Sequence, residues 1–320
     1  MRGQLSDEQE AYQDALRGWL GKAADPSTVR GWLDGADDAS FEKRFADDGW
    51  AGVGVAEECG GQGGGLVELA ITAQELGRSC APSGRWLASV LAAPLLGALD
   101  GALLVPADAI PHLAATTERV PRVLGAGSAR RFVVPGSEGL AVVTAEQVEV
   151  TPRSLLDRSR SVADLRVTEA GTPLDVDPAV LVEASARAAV LVAADALGAS
   201  ERMLDLAVEY AGQRHQFGVP IGSFQAVKHA AATMLVGIEA ARSIVYFAAA
   251  SVDAPADRRD PQWLLHAAAA KAQVTAEAAR AADTALTLHG AVGYTWEHDL
   301  QLSYKRAKLD EALFGTPEAW

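Results

Sequence analysis

The strongest constraint on the fold is a series of long helical stretches in the C-terminal part of the chain, separated by short turn segments. Asp177 followed by Pro178 is typical of an N-cap and a first helical position, and the helix they begin is predicted to run to Gln213. At 1.5 Å per residue it is a rod of roughly 50 Å. Further helices are predicted over about 223–252, 260–288 and 297–313. Short loops between long helices predict an antiparallel four-helix bundle over residues 177–320, with Ser223 capping its second helix.

The N-terminal part of the chain also has helical patterns. Ser6 and Gln9 form a capping box, and the apolar residues that follow have the spacing of one helix face. These patterns predict a small helical domain over residues 1–115. Between 116 and 176 short β-branched runs alternate with Pro and Gly, which predicts about four to six strands in a reduced β-domain. The fold class is therefore mainly α with a small β-domain.

Composition limits the functional classes. A formal net charge of -14 over 320 residues argues against nucleic acid and against an anionic membrane surface as partners. Cys59 and Cys80 are the only cysteines, so a disulfide framework is not expected and a reducing cytoplasm is the predicted location. The N-terminus has no apolar core of a signal peptide, and the most apolar run, 186–197, is too short to span a bilayer.

The usual catalytic and cofactor motifs are absent from the sequence. The glycine-rich stretch "GGQGGG" lacks the spacing of a dinucleotide fingerprint, so a structural turn is favoured over a phosphate cradle. The six histidines show no metal-ligand spacing with cysteines or carboxylates, and no metal is expected. Neither a Walker A sequence nor a G-x-S-x-G elbow is present.

Two segments of the bundle are candidates for ligand binding. "RHQFGVPIGSFQ", residues 214–225, places an arginine, a glutamine and an aromatic ring between two helices. This corner fits either a phosphate site or a helix corner in which Arg214 caps carbonyl groups. "TLHGAVGYTWEH", residues 287–298, contains Gly290 and Gly293, which would let a ligand or another backbone approach closely. Taken alone, the second segment reads as the end of a helix.

Together these segments resemble acyl-CoA dehydrogenases, flavoproteins that desaturate acyl-CoA thioesters. The resemblance lies in "AVEYAGQRHQFGVPIGSFQAVKH" and "LHGAVGYTWEHDLQLSYKRAK", and in "WAGVGVAEECGGQGGGLVELAITAQELGRSCAP" and "LLDRSR" earlier in the chain. It implies a helical N-domain, a β-domain and a C-terminal four-helix bundle in an oligomer. In that family FAD lies across a subunit interface, its ring on one β-domain and its pyrophosphate and adenosine on the neighbour's bundle.

The resemblance also implies which residues contact a neighbour's FAD. The matching positions are Arg214, Gln216, Phe217, Ile221, Gln225, Thr287, Gly290 and Ala291. Thr287 stands where a glutamine is common, and Ala291 replaces the usual second glycine of the turn facing the pyrophosphate.

The residue that the family's chemistry needs as a base is not found where the resemblance predicts it. A glutamate usually precedes a Gly-Thr pair and takes the α-proton of the thioester. Here Phe314 precedes Gly315-Thr316, and a second known position, on the first bundle helix, holds Ala188. Glu183 and Glu311 are near these positions in sequence, but solvated or ion-paired roles are favoured for them.

The resemblance and the missing base together predict the non-catalytic subunit of a heteromeric α2β2 acyl-CoA dehydrogenase, similar to the short subunits of such enzymes in actinobacterial steroid degradation and lipid metabolism. A longer partner subunit would supply the glutamate, the flavin-ring contacts and most of the acyl-CoA site, and the substrate could be steroid-derived. Three alternatives stay open: a self-sufficient homo-oligomer that uses Glu183 or Glu311, a non-enzymatic scaffold, and another flavin reaction on the same fold.

Overall fold

The computed structural model describes residues 5–35, 38–99, 101–103, 119–136, 139–254 and 260–320. The fold class predicted above is confirmed: helices dominate, with a small sheet region between them. The helices are α1 (Asp7–Ala23), α2 (Pro26–Leu33), α3 (Ala39–Asp47), α4 (Leu66–Ser79), α5 (Gly84–Leu96), α6 (Pro178–Gln213), α7 (Gln225–Asp253), α8 (Gln262–Ala269), α9 (Thr275–His289) and α10 (Leu300–Ala312). The strands are β1 (Gly101–Leu103), β2 (Arg119–Leu124), β3 (Arg131–Gly136), β4 (Gly139–Thr144), β5 (Val148–Arg153), β6 (Val162–Val167), β7 (Thr172–Leu174), β8 (His215–Gln216) and β9 (Val219–Pro220).

The N-terminal helices begin as their sequence predicts. The backbone N–H of Gln9 donates to the Ser6 hydroxyl (3.3 Å), and the Ser6 N–H donates to the Gln9 side chain (3.0 Å), which completes the capping box. Leu16 and Leu20 lie on the buried face of α1, which packs against α4. Helix α4 in turn packs along α6, so the N-terminal helices share one core with the bundle.

The strand region forms two small sheets. One has the order β1-β3-β4-β7 and the other β2-β6-β5, and their inner faces share a core around Phe132 and Leu165. Among the described residues, six strands lie between 119 and 174, at the upper end of the predicted number. Strand β1 lies within the range assigned to the helical domain, although it pairs in parallel with β3. The three domain ranges themselves stay predictions.

The bundle consists of α6 with α7, α8–α9 and α10 packed around it. Asp177 caps α6 by accepting the N–H of Ala179 (2.8 Å), as predicted. The prediction that Ser223 caps the second helix is wrong: its hydroxyl donates to the Pro220 carbonyl (2.7 Å) inside a 3-10 turn, and α7 begins at Gln225. The third predicted helix contains a π-helical turn at Ala270–Val274, and the fourth begins at Leu300 rather than near 297.

A buried ion cluster connects the bundle with both other regions. Arg306 of α10 donates five hydrogen bonds, two to the Asp195 carboxylate (2.8 and 2.9 Å) and three to oxygens of 81–83 and Ser159. Arg160, from the "DRSR" loop, pairs with Asp195 (2.7 Å) and with Asp310. Burial alone would raise the pKa of Asp195, but the two guanidinium groups outweigh it and lower that pKa to about 2. The cluster thereby fixes α10 against the rest of the fold.

Helix α7 alone, among the helices of the described residues, has the length and hydropathy of a membrane-spanning segment. In its most apolar stretch of 18 residues 44% is buried, and the helix packs against α4, α6, α8 and α9. Length and composition of this kind are shared by the core helices of bundles.

Candidate functional site

The first predicted segment forms a sharp corner between α6 and α7. Helix α6 ends at Gln213, and the two-residue strands β8 and β9 make a tight hairpin. Phe217 and Gly218, at the tip of that hairpin, both have positive φ (52° and 84°). The N–H of Ile221 donates to the Arg214 carbonyl (2.8 Å) and closes the corner. The glycine favours this conformation because it has no Cβ to clash in the left-handed region.

The polar groups at this corner point away from the protein core. Arg214 is exposed, and its guanidinium has no hydrogen-bond or ion-pair partner among the residues that the structure describes. Phe217 is 93% exposed and meets Phe224 edge-on at 6.2 Å. Helix α7 has no side-chain cap and no acidic residue in its first turn. The interpretation in which Arg214 caps carbonyl groups therefore has no support in the described part of the chain. Within that part, the corner offers a free cation beside a helix N-terminus without a side-chain cap.

The second predicted segment ends α9. The Thr287 hydroxyl donates to the Asp283 carbonyl one turn earlier (2.9 Å), and Thr287 and Ala291 are both exposed. Gly290 has φ 60° and open space around the position of a Cβ. Gly293 has a different role: a Cβ there would lie 2.9 Å from the His289 Cβ, so this glycine serves close packing of the chain on itself. Of the two glycines only Gly290 leaves room for a ligand.

Three aromatic rings bring the two segments to the same end of the bundle. Tyr210, in the last turn of α6, stacks on His289 with ring centroids 4.8 Å apart. His289 meets His298 at 4.6 Å, and Tyr210 meets His298 edge-on at 6.2 Å. Sequence analysis missed these residues. Their only signal is position: Tyr210 precedes Arg214 by one turn and His289 directly precedes Gly290.

The predicted base position is closed. Phe314 has φ 56° and is only 9% exposed, and Ala188 is fully buried. Lys271, from the π-helical turn, donates to the carbonyls of Asp310 (3.0 Å), Glu311 (3.2 Å) and Gly315 (2.7 Å). The Trp320 indole donates to the Phe314 carbonyl (2.9 Å). We refer to Lys271, 314–315 and Trp320 as the closed turn.

Comparison with known proteins identifies the family. The family model of the acyl-CoA dehydrogenase N-terminal domain matches residues 6–98, and that of the C-terminal domain matches residues 179–319. Acyl-CoA dehydrogenase IpdE2 of Mycobacterium tuberculosis is 35% identical over 329 residues, covering 97% of this chain and 94% of IpdE2. The chain belongs to the acyl-CoA dehydrogenase family.

Solved structures of acyl-CoA dehydrogenases have the same fold. One chain of the ChsE4–ChsE5 complex from Mycobacterium tuberculosis superposes with a TM-score of 0.82 at 25% identity, and the match covers 97% of this chain and 94% of that one. A variant of the Tcur3481–Tcur3483 steroid ACAD superposes with a TM-score of 0.84 at 21% identity, over 98% and 95%. The predicted membership of the acyl-CoA dehydrogenase family is thus confirmed.

Membership of the acyl-CoA dehydrogenase family makes the surroundings of the two glutamates relevant. The Glu183 carboxylate accepts from Arg187 (3.1 Å), which also reaches Asp253 (3.3 Å). Glu311 lies on α10, where its backbone carbonyl accepts from Lys271. Their use as relocated bases stays an untested alternative.

The glycine-rich stretch is a tight structural loop. The Gly63 N–H donates to the Val55 carbonyl (2.8 Å), and a Cβ on Gly61 would lie 2.1 Å from that carbonyl oxygen. At the start of α4, Glu68 accepts the N–H of Gly65 (2.8 Å) and Asp253 accepts that of Leu66. Carboxylates already occupy this helix N-terminus, which supports the structural reading over a phosphate cradle.

Proposed function

We propose that this chain is the non-catalytic subunit of a heteromeric, FAD-dependent acyl-CoA dehydrogenase that introduces an α,β double bond into an acyl-CoA thioester. The observation that carries the proposal is the contrast between the Arg214 corner and the two expected base positions. The corner at 214–225 has a cation that is unpaired among the described residues, while Phe314 and Ala188, at the two expected base positions, cannot accept a proton. A subunit of this kind offers a surface to a cofactor but needs a companion for the chemistry.

The residues at the bundle end fit the diphosphate and adenosine part of FAD. Arg214 would pair with the diphosphate, and the uncapped N-terminus of α7 adds backbone N–H groups of the same polarity. Gly290, with open space at its Cβ position, would let the diphosphate approach the backbone. Phe217 and Gln225 would contact the nucleotide from the same corner, with Gln216, Ile221, Thr287 and Ala291 around them. When bound, FAD supplies the acceptor for the β-hydrogen of the substrate.

The partner in this proposal is a longer acyl-CoA dehydrogenase subunit in an α2β2 assembly with two FAD. It supplies the catalytic glutamate, the flavin-ring contacts and most of the acyl-CoA site. The similarity to one chain of the ChsE4–ChsE5 complex supports a heteromeric assembly, and that to the Tcur3481–Tcur3483 steroid ACAD supports a steroid-derived acyl group. The proposal places the assembly in the cytoplasm.

Purification through an affinity tag from the native host tests the proposal. The expected product is a yellow complex with a longer acyl-CoA dehydrogenase in equal amount, with one FAD per pair of chains by absorbance and native mass. In this complex Arg214→Ala should lower FAD retention at least tenfold, because it removes the guanidinium that pairs with the diphosphate in the proposal. Arg44→Ala, an exposed arginine on α3, is the matched control and should retain FAD.

Other outcomes would favour the alternatives. Bound flavin and acyl-CoA turnover by the chain alone would establish a self-sufficient enzyme. A complex in which Arg214→Ala leaves the flavin content unchanged would indicate a scaffold that takes no part in FAD binding.

A further inference from the structure

The ring cluster of Tyr210, His289 and His298 lies directly beneath the proposed FAD surface. The carbonyl of Tyr210 accepts the N–H of Arg214 (2.8 Å), so the same residue holds the corner by its backbone and the cluster by its ring. His289 is the last residue of α9 and precedes Gly290. The ring contacts therefore connect the backbone of the Arg214 corner with that of the Gly290 turn.

The hydrogen bonds of the two imidazoles define their protonation. His289 Nδ1 lies 2.7 Å from the Ala285 carbonyl, so this nitrogen carries a proton and donates. His298 Nδ1 accepts the N–H of Leu300 (3.1 Å), the first residue of α10. This nitrogen must be unprotonated, so His298 is neutral and caps the helix in the manner of an N-cap side chain. His298 thus fixes the start of α10 while its ring contacts His289.

Protonation of the cluster would disrupt it for two reasons. A protonated His298 could not accept from Leu300 and would place a positive charge at a helix N-terminus. Two charged rings 4.6 Å apart would also repel each other. Burial lowers the pKa of both His289 and His298 below the usual histidine value.

The charged groups facing the cluster come from three elements. Asp299 precedes α10 and favours a charged His298, Glu209 of α6 acts in the same direction, and Arg30 of α2 opposes both. Arg30 is paired with Asp299 and also donates to the Glu297 carbonyl (2.6 Å). Arg30 neutralises Asp299, the nearest carboxylate. The remaining charges therefore do not offset the effect of burial, which lowers the pKa of His298.

We propose that Tyr210, His289 and His298 are positioning residues that set the distance between the two FAD-binding segments, and that FAD binding weakens on acidification because this cluster requires neutral imidazoles. This inference rests on the proposed function. The inference assigns a positioning role to three residues that do not contact FAD themselves. It also predicts that the affinity for FAD depends on pH.

FAD titration of the apo complex, followed by flavin fluorescence between pH 5.5 and 7.5, tests the inference. The wild-type complex should lose about tenfold in FAD affinity over this range, equivalent to about 1.4 kcal/mol. The double variant His289→Phe/His298→Gln keeps a ring and a hydrogen-bond acceptor but cannot titrate. It should bind within about threefold of wild type at pH 7.5 and show a flat profile below it. Tyr210→Leu should lose about tenfold at every pH.

Two controls separate the possible results. His266→Phe changes a histidine of α8 that contacts Phe247 and Ser251 of α7, and it should keep the wild-type profile. Phe247 lies about 33 Å along α7 from Gln225. Thermal unfolding at each pH confirms that the complexes remain folded. A double variant with the wild-type pH profile, or a Tyr210→Leu variant with wild-type affinity, would overturn the inference. Unchanged FAD affinity in Arg214→Ala would instead overturn the proposed function.

Discussion

The two ends of α10 lie in opposite environments. Its N-terminal end lies near the exposed corner of Arg214 and the open space at Gly290, because His298, just before α10, contacts Tyr210 and His289. At its C-terminal end Phe314 is buried, and Lys271 and Trp320 bind the backbone carbonyls of the turn. The same helix therefore separates the exposed guanidinium of Arg214, which has no side-chain partner among the described residues, from a turn whose polar groups bind one another.

This difference indicates where the molecule can meet a ligand. Arg214 and Arg306 are both arginines in the bundle, but Arg306 makes five internal hydrogen bonds and Arg214 has no side-chain partner in the part of the chain that the structure describes. A cation that is already paired stabilises the fold, whereas an exposed one is available to an external anion. In a family whose members act on acyl-CoA, the closed turn stands where the base is expected.

The largest effect is expected from Arg306→Met, which removes the cation that holds the middle of α10. Asp195 would lose one of its two guanidinium partners in a buried site, and we expect the free energy of unfolding to fall by about 3–5 kcal/mol. Urea unfolding followed by circular dichroism measures this. The control is Arg280→Met, which changes an exposed arginine paired with Glu277. It should change the free energy of unfolding by less than about 0.5 kcal/mol. Equal losses in both variants would contradict the comparison.

Phe314→Glu tests whether the closed turn can be turned into a catalytic one. A carboxylate at this buried position should lower the free energy of unfolding by about 2–4 kcal/mol and give the isolated chain no acyl-CoA oxidation. Phe314→Leu keeps an apolar side chain and should lose about 1 kcal/mol. Turnover by the glutamate variant alone, assayed with an artificial electron acceptor, would show that the site is open.

Lys271→Met tests the internal hydrogen bonds of the closed turn. Three backbone carbonyls would lose their donor, and we expect a loss of about 2 kcal/mol in the free energy of unfolding. FAD retention by the complex should stay unchanged, because the change lies at the other end of α10. The exposed pair of Lys43 with Asp47 gives the control variant Lys43→Met, with an expected loss of less than about 0.5 kcal/mol. A drop in flavin content in Lys271→Met would mean that the two ends are coupled.

The same lysine predicts a pH dependence of stability. Burial lowers the pKa of Lys271 from 10.5 to about 8, although Asp310 and Glu311 act in the opposite direction. Between pH 8 and 10.5 the lysine is protonated in the unfolded chain and neutral in the folded chain, so the free energy of unfolding rises with pH in this range. The contribution of Lys271 to stability is therefore fully present above pH 10.5 and is lost as the pH falls through 8. The free energy of unfolding should rise by up to about 1.4 kcal/mol per pH unit between pH 8 and 9.5. If Lys271→Met shows the same rise, another group is responsible.

The smallest effect on stability is expected from Arg214→Ala. The side chain is exposed and unpaired among the described residues. The free energy of unfolding of the isolated chain, measured by thermal unfolding, should therefore change by less than about 0.5 kcal/mol. The contrast with Arg306→Met is the direct measure of the difference between the two environments. A loss of more than 1 kcal/mol in Arg214→Ala would show that this arginine serves the fold.

The sequence by itself determined the helices whose signals are local. The capping box at Ser6 and the Asp177-Pro178 start of α6 were predicted because cap and backbone lie within three residues of each other. It also identified the acyl-CoA dehydrogenase family and the corner at 214–225, because turn residues and an arginine stand together in the chain. Ser223 was assigned wrongly because a serine hydroxyl can bind a preceding carbonyl as readily as a following N–H.

Only the tertiary structure decided which polar groups the fold uses internally and which it leaves exposed. The partners of Arg306 and Lys271 come from distant parts of the chain, and so do the ring contacts of Tyr210 with His289 and His298. Strand β1 likewise pairs in parallel with β3, which lies 28 residues later in the chain. Contacts of this kind depend on how the helices pack, and no local pattern in the sequence records them.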